Sequence, residues 1–491
     1  MFTSGGVLLA LEIVASRVVA PYFGNSIYVW GSLIGVFLAA LSLGYFLGGR
    51  IATRWPAWGP FLGLVLAAGL CIYPIPHLAG GVLGAIAARD YGPRANPLMG
   101  ATALFFLPSV LLGTISPYAV RLSARSVEGV GNVAGVLYAL STLGSIAGTL
   151  LAAFVLISAF GVRTIVHILG VTEAALAVLG FVWSRRLRAA GVAAAVTAAV
   201  LAGTAAVPPD GPDVVYARDT IYHRITVSDE GDYRYLKLDR YWQSAVDRRA
   251  PADTVFPYTD YLHLGVLFVP AVRRVLFVGM GGGTAPTRFY HDYPRARIDV
   301  VEIDPAVVAT ARRFFALPDD PRVSVHVQDG RLWMRRTPDR DDLIVLDAYL
   351  IDTIPFHLAT REFYESAAAH LAPGGAVVSN VIGAIRGPQS RLFRAFYKTF
   401  RAVFPSVYVF PVGGGAGEGL QNIILIGATG PVLSPADIQA RARHAVADRT
   451  VRISGFTRDA ADLYTGPIET QDVPLLTDDY APTDLLVASG R

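Results

Sequence analysis

Acidic residues and glycines end a series of short apolar runs in the C-terminal half of the chain. In chain order these positions are Gly279, Gly281 and Gly283, then Glu302, then Asp329 with Gly330, and last Asp347. Glycine allows a backbone to approach a ligand closely, and a carboxylate at the end of a second strand can accept hydrogen bonds from both hydroxyls of a ribose. Asp329 can accept a hydrogen bond from an adenine amino group. The pattern therefore predicts a nucleoside site.

The same residues favour an S-adenosyl-type ligand over NAD(H), because Asp329-Gly330 followed by Asp347 is more typical of S-adenosyl sites. No metal-ligand spacing is present in the sequence. The single cysteine, Cys71, excludes a multi-cysteine zinc site and an intramolecular disulfide framework. His263 and His357 stand alone in the sequence, and we expect them to be packed or surface residues. No metal is predicted.

Short strands alternating with helices must position these side chains. The apolar runs predict strands at 275–278, 298–302, 323–327 and 343–347, with helices from the glycine loop to about residue 292 and at 305–315. Such alternation implies a parallel, doubly wound, Rossmann-like sheet, whose ligands bind at the carboxyl ends of the strands. Alternating segments at 224–228 and 233–239 predict a small β unit before this sheet.

The first 209 residues have the composition of a membrane domain. A hydrocarbon core of about 30 Å requires roughly 20 apolar residues per helix. Candidate spans are 5–24, 28–49, 58–79, 97–120, 132–158, 162–183 and 189–207. The last span is mostly alanine and is the weakest. We therefore expect an α-helical transmembrane bundle of six or seven spans, with the lipid bilayer as a partner.

Charge divides the chain at the same place. Residues 1–209 carry a net charge of +7 and residues 210–491 a net charge of −3. The negative half argues against nucleic acid as a partner and suits a cationic substrate. The positive-inside rule makes one end of the spans cytoplasmic, on the basis of Arg50, Arg54, Arg121, Arg125, Arg185, Arg186 and Arg188.

The number of spans decides the side of the C-terminal half. Seven spans would place it outside the cell, and six would keep it in the cytoplasm, which the ligand chemistry favours. We therefore predict a multi-pass protein of the inner membrane with a cytoplasmic catalytic domain. A proline-rich linker at 208–212 separates the halves. The predicted domains are 1–209 (transmembrane), 210–265 (small β unit) and 266–491 (Rossmann-like catalytic domain).

Motifs in both halves occur in an order that is typical of one family. They are Glu12–Arg17 with Pro21–Gly24, Gly44–Arg50, Tyr138–Ser145, Leu236–Asp239 with Gln243, Tyr258, Val301–Asp304, Asp329-Gly330, and Asp347–Asp352 with Ile354-Pro355. On these residues the chain resembles the spermidine synthase (polyamine aminopropyltransferase) family. It is most similar to the membrane-bound branch, in which a multi-helix domain precedes the synthase-like domain.

The resemblance implies transfer of the aminopropyl group of decarboxylated S-adenosylmethionine to an amine such as putrescine. It implies that the nucleoside is bound by Gln243, Glu302, Asp304, Asp329 and Gly330 together with the glycine loop. It further implies that Asp347 accepts a proton and that Tyr258 lines the amine site. An alkylammonium has a pKa of about 10 and must lose a proton before it attacks. We expect Asp260, Tyr349 and Asp352 to hold the remote ammonium of a diamine.

Some positions depart from the soluble members of the family. Gly282 stands where they have an aspartate that contacts the aminopropyl chain, and methyltransferases also carry a glycine loop without that aspartate. Arg240, Thr259 and Leu350 likewise replace family residues. The alternatives are an S-adenosylmethionine-dependent methyltransferase and a polyamine transporter or sensor with a nucleoside-binding domain.

The segment 476–482 near the C-terminus is conspicuous because it contains two adjacent aspartates. It predicts either a helix cap with a turn, or added negative charge at the amine pocket from Asp478 and Asp479. A homodimer is a further expectation, by analogy with soluble relatives and because helices rich in small residues can associate in a membrane.

Overall fold

The computed structural model describes residues 1–24, 26–124, 126, 129–204, 211, 213–349, 354–415 and 417–488. The chain divides into two compact units. The helical unit comprises residues 1–211 with 218–223, and the C-terminal unit comprises residues 212–217 with 224–491.

The helical unit consists of apolar helices joined by short loops. They are α1 (Phe2–Phe23), α2 (Ile27–Arg54), α3 (Trp58–Ile72), α4 (Ile75–Arg89), α5 (Ala95–Ser123), α6 (Val130–Leu151), α7 (Ile157–Ala159), α8 (Val162–Trp183) and α9 (Leu187–Thr204). A π-helical turn, Ala152–Leu156, continues α6 toward α7. Among the described residues, five helices are long and apolar enough to cross a membrane.

Two of the predicted spans differ from single long helices. The span predicted at 58–79 is a pair, α3 and α4, bent by 56°, and the Tyr73-Pro74 step lies between the two helices. Proline lacks a backbone N–H and therefore ends the first helix. The span predicted at 189–207 is the shorter apolar helix α9, of which Ala190 and Ala193 pack against Leu62 and Phe181.

Glycines bring α1 and α6 into backbone contact. A Cβ built on Gly144 would lie 1.9 Å from the carbonyl oxygen of Phe2, and one on Gly148 would lie 2.1 Å from that of Gly6. Only glycine permits this approach, which is the packing expected from small residues in apolar helices.

The C-terminal unit contains two sheets. The first has consecutive neighbouring strands β1 (Val214–Asp219), β2 (Arg224–Glu230), β3 (Tyr233–Leu238), β4 (Tyr241–Asp247) and β5 (Ala250–Thr254). Strands β2 to β5 pair antiparallel. The two segments predicted at 224–228 and 233–239 are therefore the hairpin β2–β3 of a five-stranded sheet.

The second sheet has seven strands and helices on both faces. Its strands are β6 (Arg274–Val278), β7 (Arg297–Glu302), β8 (Val323–Val327), β9 (Asp341–Leu346), β10 (Leu371–Gly383), β11 (Ser406–Pro411) and β12 (Gln421–Ala428). Their order across the sheet is β11-β12-β10-β9-β6-β7-β8.

The seven-stranded sheet is mixed rather than wholly parallel. Strands β10, β9, β6, β7 and β8 are parallel, whereas β12 runs antiparallel to both β10 and β11. The expectation of a parallel sheet therefore holds for five strands and fails for the β11–β12 edge. The connection between β11 and β12 is too short for a crossover, so the two strands pair antiparallel as a hairpin.

Alternate residues of the central strand enter two separate cores. Val275 and Phe277 pack into one cluster of buried residues, and Leu276 and Val278 pack into the other. Both faces of the sheet are covered by helices: α10 (Pro257–Leu262), α11 (Thr284–Asp292), α12 (Pro305–Phe314), α13 (Gly330–Arg336), α14 (Arg361–Ala369), α15 (Arg391–Val403), α16 (Pro435–Ala447), α17 (Phe456–Asp459) and α18 (Thr483–Ala488). Burial on both faces explains the unbroken apolar runs of the central strands β6 and β9.

Candidate active site

The strand order places a crevice at the carboxyl ends of β6 and β9. From β6 the chain proceeds outward through β7 and β8, and then returns to the other side of β6 as β9. The backbone N–H of Asp347 donates to the carbonyl of Val278 at 2.9 Å, and that of Gly279 donates to the carbonyl of Val301 at 2.9 Å. Ligands of doubly wound sheets bind at such a reversal of strand order.

Asp347 lies immediately beyond β9 and lines a cavity of about 630 Å³. Neutral donors contact both of its carboxylate oxygens. The amide Nδ2 of Asn380 donates to Oδ1 at 3.0 Å, and the hydroxyl of Tyr258 donates to Oδ2 at 3.3 Å. Burial raises the pKa of the Asp347 carboxyl above its ordinary value, and the hydrogen bonds from Asn380 and Tyr258 oppose this rise.

The cavity around Asp347 is lined by aromatic rings and amides. Of the predicted site residues it contains Gln243, Tyr258, Asp347 and Tyr349, and it also contains Tyr241, Trp242, Phe256, Asn380, Gln421 and Asn422. Among the described residues that line it, Asp347 is the one charged side chain. Aromatic faces and a single carboxylate suit a cationic group, since ring faces attract cations.

The glycine loop after β6 is tied to β7 and to the first sheet. Glu302 accepts hydrogen bonds from the backbone N–H groups of Met280 at 3.3 Å and Asp304 at 3.0 Å. The N–H of Gly282 donates to the hydroxyl of Ser244 at 2.8 Å. The Asp304 carboxylate accepts from the N–H of Ala306 and caps α12. The loop and the Glu302 carboxylate are thereby held together at one strand end.

Asp329 and Gly330 lie at the end of β8 and begin α13. The Asp329 carboxylate accepts from the N–H of Leu332 at 2.9 Å and lies 3.1 Å from Nε2 of His357. His357, which stands alone in the sequence, is therefore a neighbour of Asp329 in the fold. A Cβ on Gly330 would lie 2.4 Å from Cγ1 of Val278, so glycine there lets α13 pack against β6.

Several residues predicted for the amine site lie away from the cavity around Asp347 or outside the described residues. Asp260 accepts a hydrogen bond from the hydroxyl of Thr254 and lies near Arg288, and burial raises the pKa of its carboxyl. It does not line the cavity around Asp347 among the described residues. Asp352 lies outside the described residues. Asp479 is exposed on the surface.

Asp478 contacts the helix that begins at Gly330. Its carboxylate pairs with both terminal nitrogens of Arg331 on α13 and accepts from the hydroxyl of Thr360 at 2.7 Å. Arg331 holds the pKa of the Asp478 carboxyl below its ordinary value. The expectation that Asp478 adds charge to the amine pocket is not supported by this placement, because its charge is neutralised beside α13.

We expect Asp478→Asn to weaken nucleoside binding by about three- to tenfold and to change the apparent KM for the amine little. The substitution removes a bidentate ion pair, which orients α13 more than it stabilises the fold. Titration calorimetry with methylthioadenosine measures the first quantity, and initial rates with varied amine measure the second.

Asp472→Asn is the matched control for this substitution. Asp472 pairs in the same bidentate way with Arg394 on α15, which does not carry the predicted nucleoside residues. Equal losses of nucleoside affinity in the two variants would refute a local role for Asp478.

Asn380, Asn422 and Trp242 are cavity residues that the sequence did not single out. Asn380 interrupts the apolar run of β10 near its carboxyl end, and it is only 2% exposed. A buried polar residue at a strand end is a recognisable signal. Asn422 has no comparable local signal, because it faces the cavity only through the pairing of β12 with β10.

The chain has relatives among the polyamine aminopropyltransferases. Residues 256–413 match the family described as the spermine/spermidine synthase domain. A polyamine aminopropyltransferase of Vibrio vulnificus is 29% identical over 286 residues, covering 56% of this chain and 91% of the relative. Polyamine aminopropyltransferase 2 of Ralstonia nicotianae is 27% identical over 443 residues, covering 81% of this chain and 82% of the relative.

The Ralstonia match covers more of the chain than the C-terminal unit contains and therefore extends into the apolar helices. Among solved structures, a probable spermidine synthase of Corynebacterium glutamicum is 25% identical with a TM-score of 0.41, covering 48% of this chain and 88% of that one. The family match spans the described cavity residues from Phe256 to Val412. Residues 256–413 therefore form a spermine/spermidine synthase domain, and the chain is a homologue of polyamine aminopropyltransferases.

Proposed function

We propose that the chain transfers the aminopropyl group of decarboxylated S-adenosylmethionine to an amine such as putrescine. The products are spermidine, or a related polyamine, and methylthioadenosine. The observation that carries this proposal is Asp347, a carboxylate at the strand reversal that is contacted by neutral donors and faces an aromatic-lined cavity.

The proposed reaction is a displacement at the carbon next to the sulfonium sulfur. The amine reaches the site mainly as an ammonium, which has no lone pair. Asp347 takes one proton, and the freed lone pair forms the new C–N bond as the C–S bond breaks and its electrons go to sulfur. The neutral thioether leaves, so the chain has mainly to orient two cations and exclude water.

The residues at the strand ends fit the nucleoside of the donor. The Glu302 carboxylate at the end of β7 can accept both ribose hydroxyls. The Asp329 carboxylate at the end of β8 can accept from the adenine amino group, because each of its oxygens has a second lone pair. Acidic groups near the crevice also suit the positive charge of a sulfonium.

The direct test is a product analysis with the purified full-length protein. It is incubated with putrescine and either decarboxylated S-adenosylmethionine or S-adenosylmethionine, and the products are identified by mass spectrometry. We expect spermidine and methylthioadenosine from the decarboxylated donor. A methylated product alone would favour a methyltransferase. Turnover of neither donor, together with saturable polyamine binding or vesicle uptake, would favour a sensor or transporter.

We also propose that the helical unit anchors the enzyme in the inner membrane. Five helices, and a sixth span if α3 and α4 form one, have sufficient length and apolarity. Trp55, Trp58 and Trp183 are 52%, 54% and 92% exposed at helix ends. Exposed tryptophans beside arginines are typical of a membrane–water interface. Six spans place residue 184 and the C-terminal unit on the arginine-rich, cytoplasmic side.

Labelling of single cysteines tests this topology in a Cys71→Ser background. Pro93→Cys lies in the loop after α4, and Ser126→Cys lies in the segment after α5, on the opposite side of the proposed bundle. An impermeant maleimide should label Pro93→Cys in intact cells and Ser126→Cys only after the membrane is opened. Labelling of both in intact cells would contradict the arrangement.

A further inference from the structure

A pair of amides connects Asp347 with the antiparallel edge of the large sheet. Asn380 donates through Nδ2 to Oδ1 of Asp347 at 3.0 Å, and Nδ2 of Asn422 donates to Oδ1 of Asn380 at 2.9 Å. The pairing of Ile382 with Asn422 and of Asn380 with Ile424 makes the two asparagines diagonal neighbours on one sheet face.

The orientation of the Asn380 amide follows from its neighbours. An ionised carboxylate can only accept hydrogen bonds, so the group of Asn380 that faces Asp347 must be the NH₂. The amide oxygen then points the other way and, because Asn380 is 2% exposed, it requires a donor. Asn422 supplies that donor.

The backbone of Asn380 is held independently of its side chain. The hydroxyl of Tyr349 donates to the carbonyl of Asn380 at 2.9 Å and accepts from the N–H of Ile382 at 2.9 Å. Tyr349 therefore helps to hold the backbone of β10 in place. The Asn380 side-chain amide could still rotate, and the hydrogen bond from Asn422 restricts that rotation.

We infer that Asn422 is a positioning residue for the proposed proton transfer: it holds the Asn380 amide in the orientation that donates to Asp347. The inference rests on the proposed function for its kinetic consequence. Without the Asn422 donor, the Asn380 amide can rotate by half a turn and present its oxygen to Asp347. That oxygen accepts a hydrogen bond from a protonated Asp347 and repels an ionised one. Asn422 thereby favours the form of Asp347 that can act as a base.

The groups that face Asp347 allow this effect to be read from a pH profile. The hydroxyl of Tyr258 on α10 contacts Oδ2 of Asp347. Tyr349, in the segment after β9, interacts electrostatically with the Asp347 carboxylate. Asn380 on β10 contacts Oδ1 and is neutral. Burial raises the pKa values of Tyr258 and Tyr349 well above their ordinary values. Neither tyrosine titrates between pH 5 and pH 9. A change in the acid limb of the profile, which is the fall in kcat/KM at low pH, therefore reports the ionisation of Asp347.

Asn422→Leu and Asn422→Asp test the inference in the full-length enzyme. Leucine has the same number and branching of side-chain heavy atoms, with bulkier methyl groups, and it neither donates nor accepts. Aspartate is an isostere that, when ionised, can accept but not donate. We expect the acid limb of kcat/KM for aminopropyl transfer to move upward by about half to one pH unit in the leucine variant, the effect of one hydrogen bond. The aspartate variant should shift it further, because a second negative charge also disfavours ionised Asp347.

A double substitution separates this role from a general structural one. If Asn422 acts through Asn380, then Asn422→Leu has no further effect on the acid limb in an Asn380→Ala background. Gln421→Leu is the control for the acid limb alone, since its amide nitrogen donates to the carbonyl of Gly415 and not to this chain of amides. An unmoved limb in both Asn422 variants, or an equal shift in the Asn380→Ala background, would overturn the inference.

The same inference can be tested without turnover. The carboxyl stretch of Asp347, identified as the infrared difference between wild type and Asp347→Asn, is titrated in the wild type and in Asn422→Leu. The titration midpoint should rise in the variant by the same half to one unit. Absence of spermidine formation in the wild type would refute the proposed function, whereas an unchanged midpoint would refute the role of Asn422.

Discussion

Asp347→Asn is expected to lower kcat for aminopropyl transfer by about 10²- to 10⁴-fold, the usual contribution of a general base. Asparagine has the shape of aspartate and can still accept from Asn380 and contact Tyr258, so the cavity should keep its form. The affinity for methylthioadenosine should change by less than about threefold, because the predicted nucleoside contacts lie on other strands. Single-turnover rates and titration calorimetry measure the two quantities.

The pH dependence of the wild-type enzyme provides a second reading of the same residue. A base must be ionised to accept a proton, and burial raises the pKa of Asp347. Activity should therefore fall as the pH is lowered through a value above that of an ordinary aspartate, and Asp347→Asn should lack this acid limb. A loss of nucleoside affinity as large as the loss of kcat would instead make Asp347 a ligand contact.

Gly279→Ala is expected to destabilise the C-terminal unit by about 2–5 kcal/mol and to abolish activity. Gly279 has φ = +85°, where an L side chain costs about 1–2 kcal/mol. Its Cβ would lie 2.4 Å from the carbonyl oxygen of Asp347 and 2.7 Å from Cα of Ala348. Such an overlap with backbone atoms adds about 1–3 kcal/mol and displaces the segment that carries the proposed base, Asp347. Denaturant unfolding of the full-length protein measures the loss.

Gly231→Ala provides the matched control for backbone conformation. Gly231 also has a positive φ, +62°, in the turn between β2 and β3, but nothing lies within 4 Å of its built Cβ. This variant should lose only about 1 kcal/mol and remain active. A similar loss of unfolding free energy in the two glycine variants would mean that the close approach of Gly279 to Asp347 contributes nothing to stability.

The local sequence predicted the four strands β6 to β9, whose ends carry the predicted nucleoside residues and Asp347, with small errors in their ends. The run predicted at 298–302 is β7, Arg297–Glu302, and the run predicted at 343–347 ends one residue earlier, so that Asp347 lies just beyond β9. The central strands β6 and β9 are recognisable because burial on both faces demands continuous apolar residues, whereas polar residues interrupt β7 and β8. Turn residues then mark the ends at which ligands bind.

Other features depend on contacts between distant segments. Asn380 and Asn422 meet because β12 pairs antiparallel with β10 in one register, and a shift by one residue would turn Asn422 to the opposite face. Asp260 and Asp478 are both candidate amine ligands from their types alone. Thr254 and Arg331, respectively, hold them elsewhere, and nothing near either aspartate in the sequence indicates these partners.

The two halves of the chain can be distinguished from the sequence because the signals that separate them are local. Composition and charge separate an apolar, arginine-rich half from an acidic half, and the order of glycines and acids in the second half indicates the chemistry, because each of these signals is contained in a few neighbouring residues. Strand order, antiparallel pairing at the sheet edge and the surroundings of Asp347 are set by which buried surfaces fit together. Those choices join residues far apart in the chain, and therefore they appear only in the folded structure.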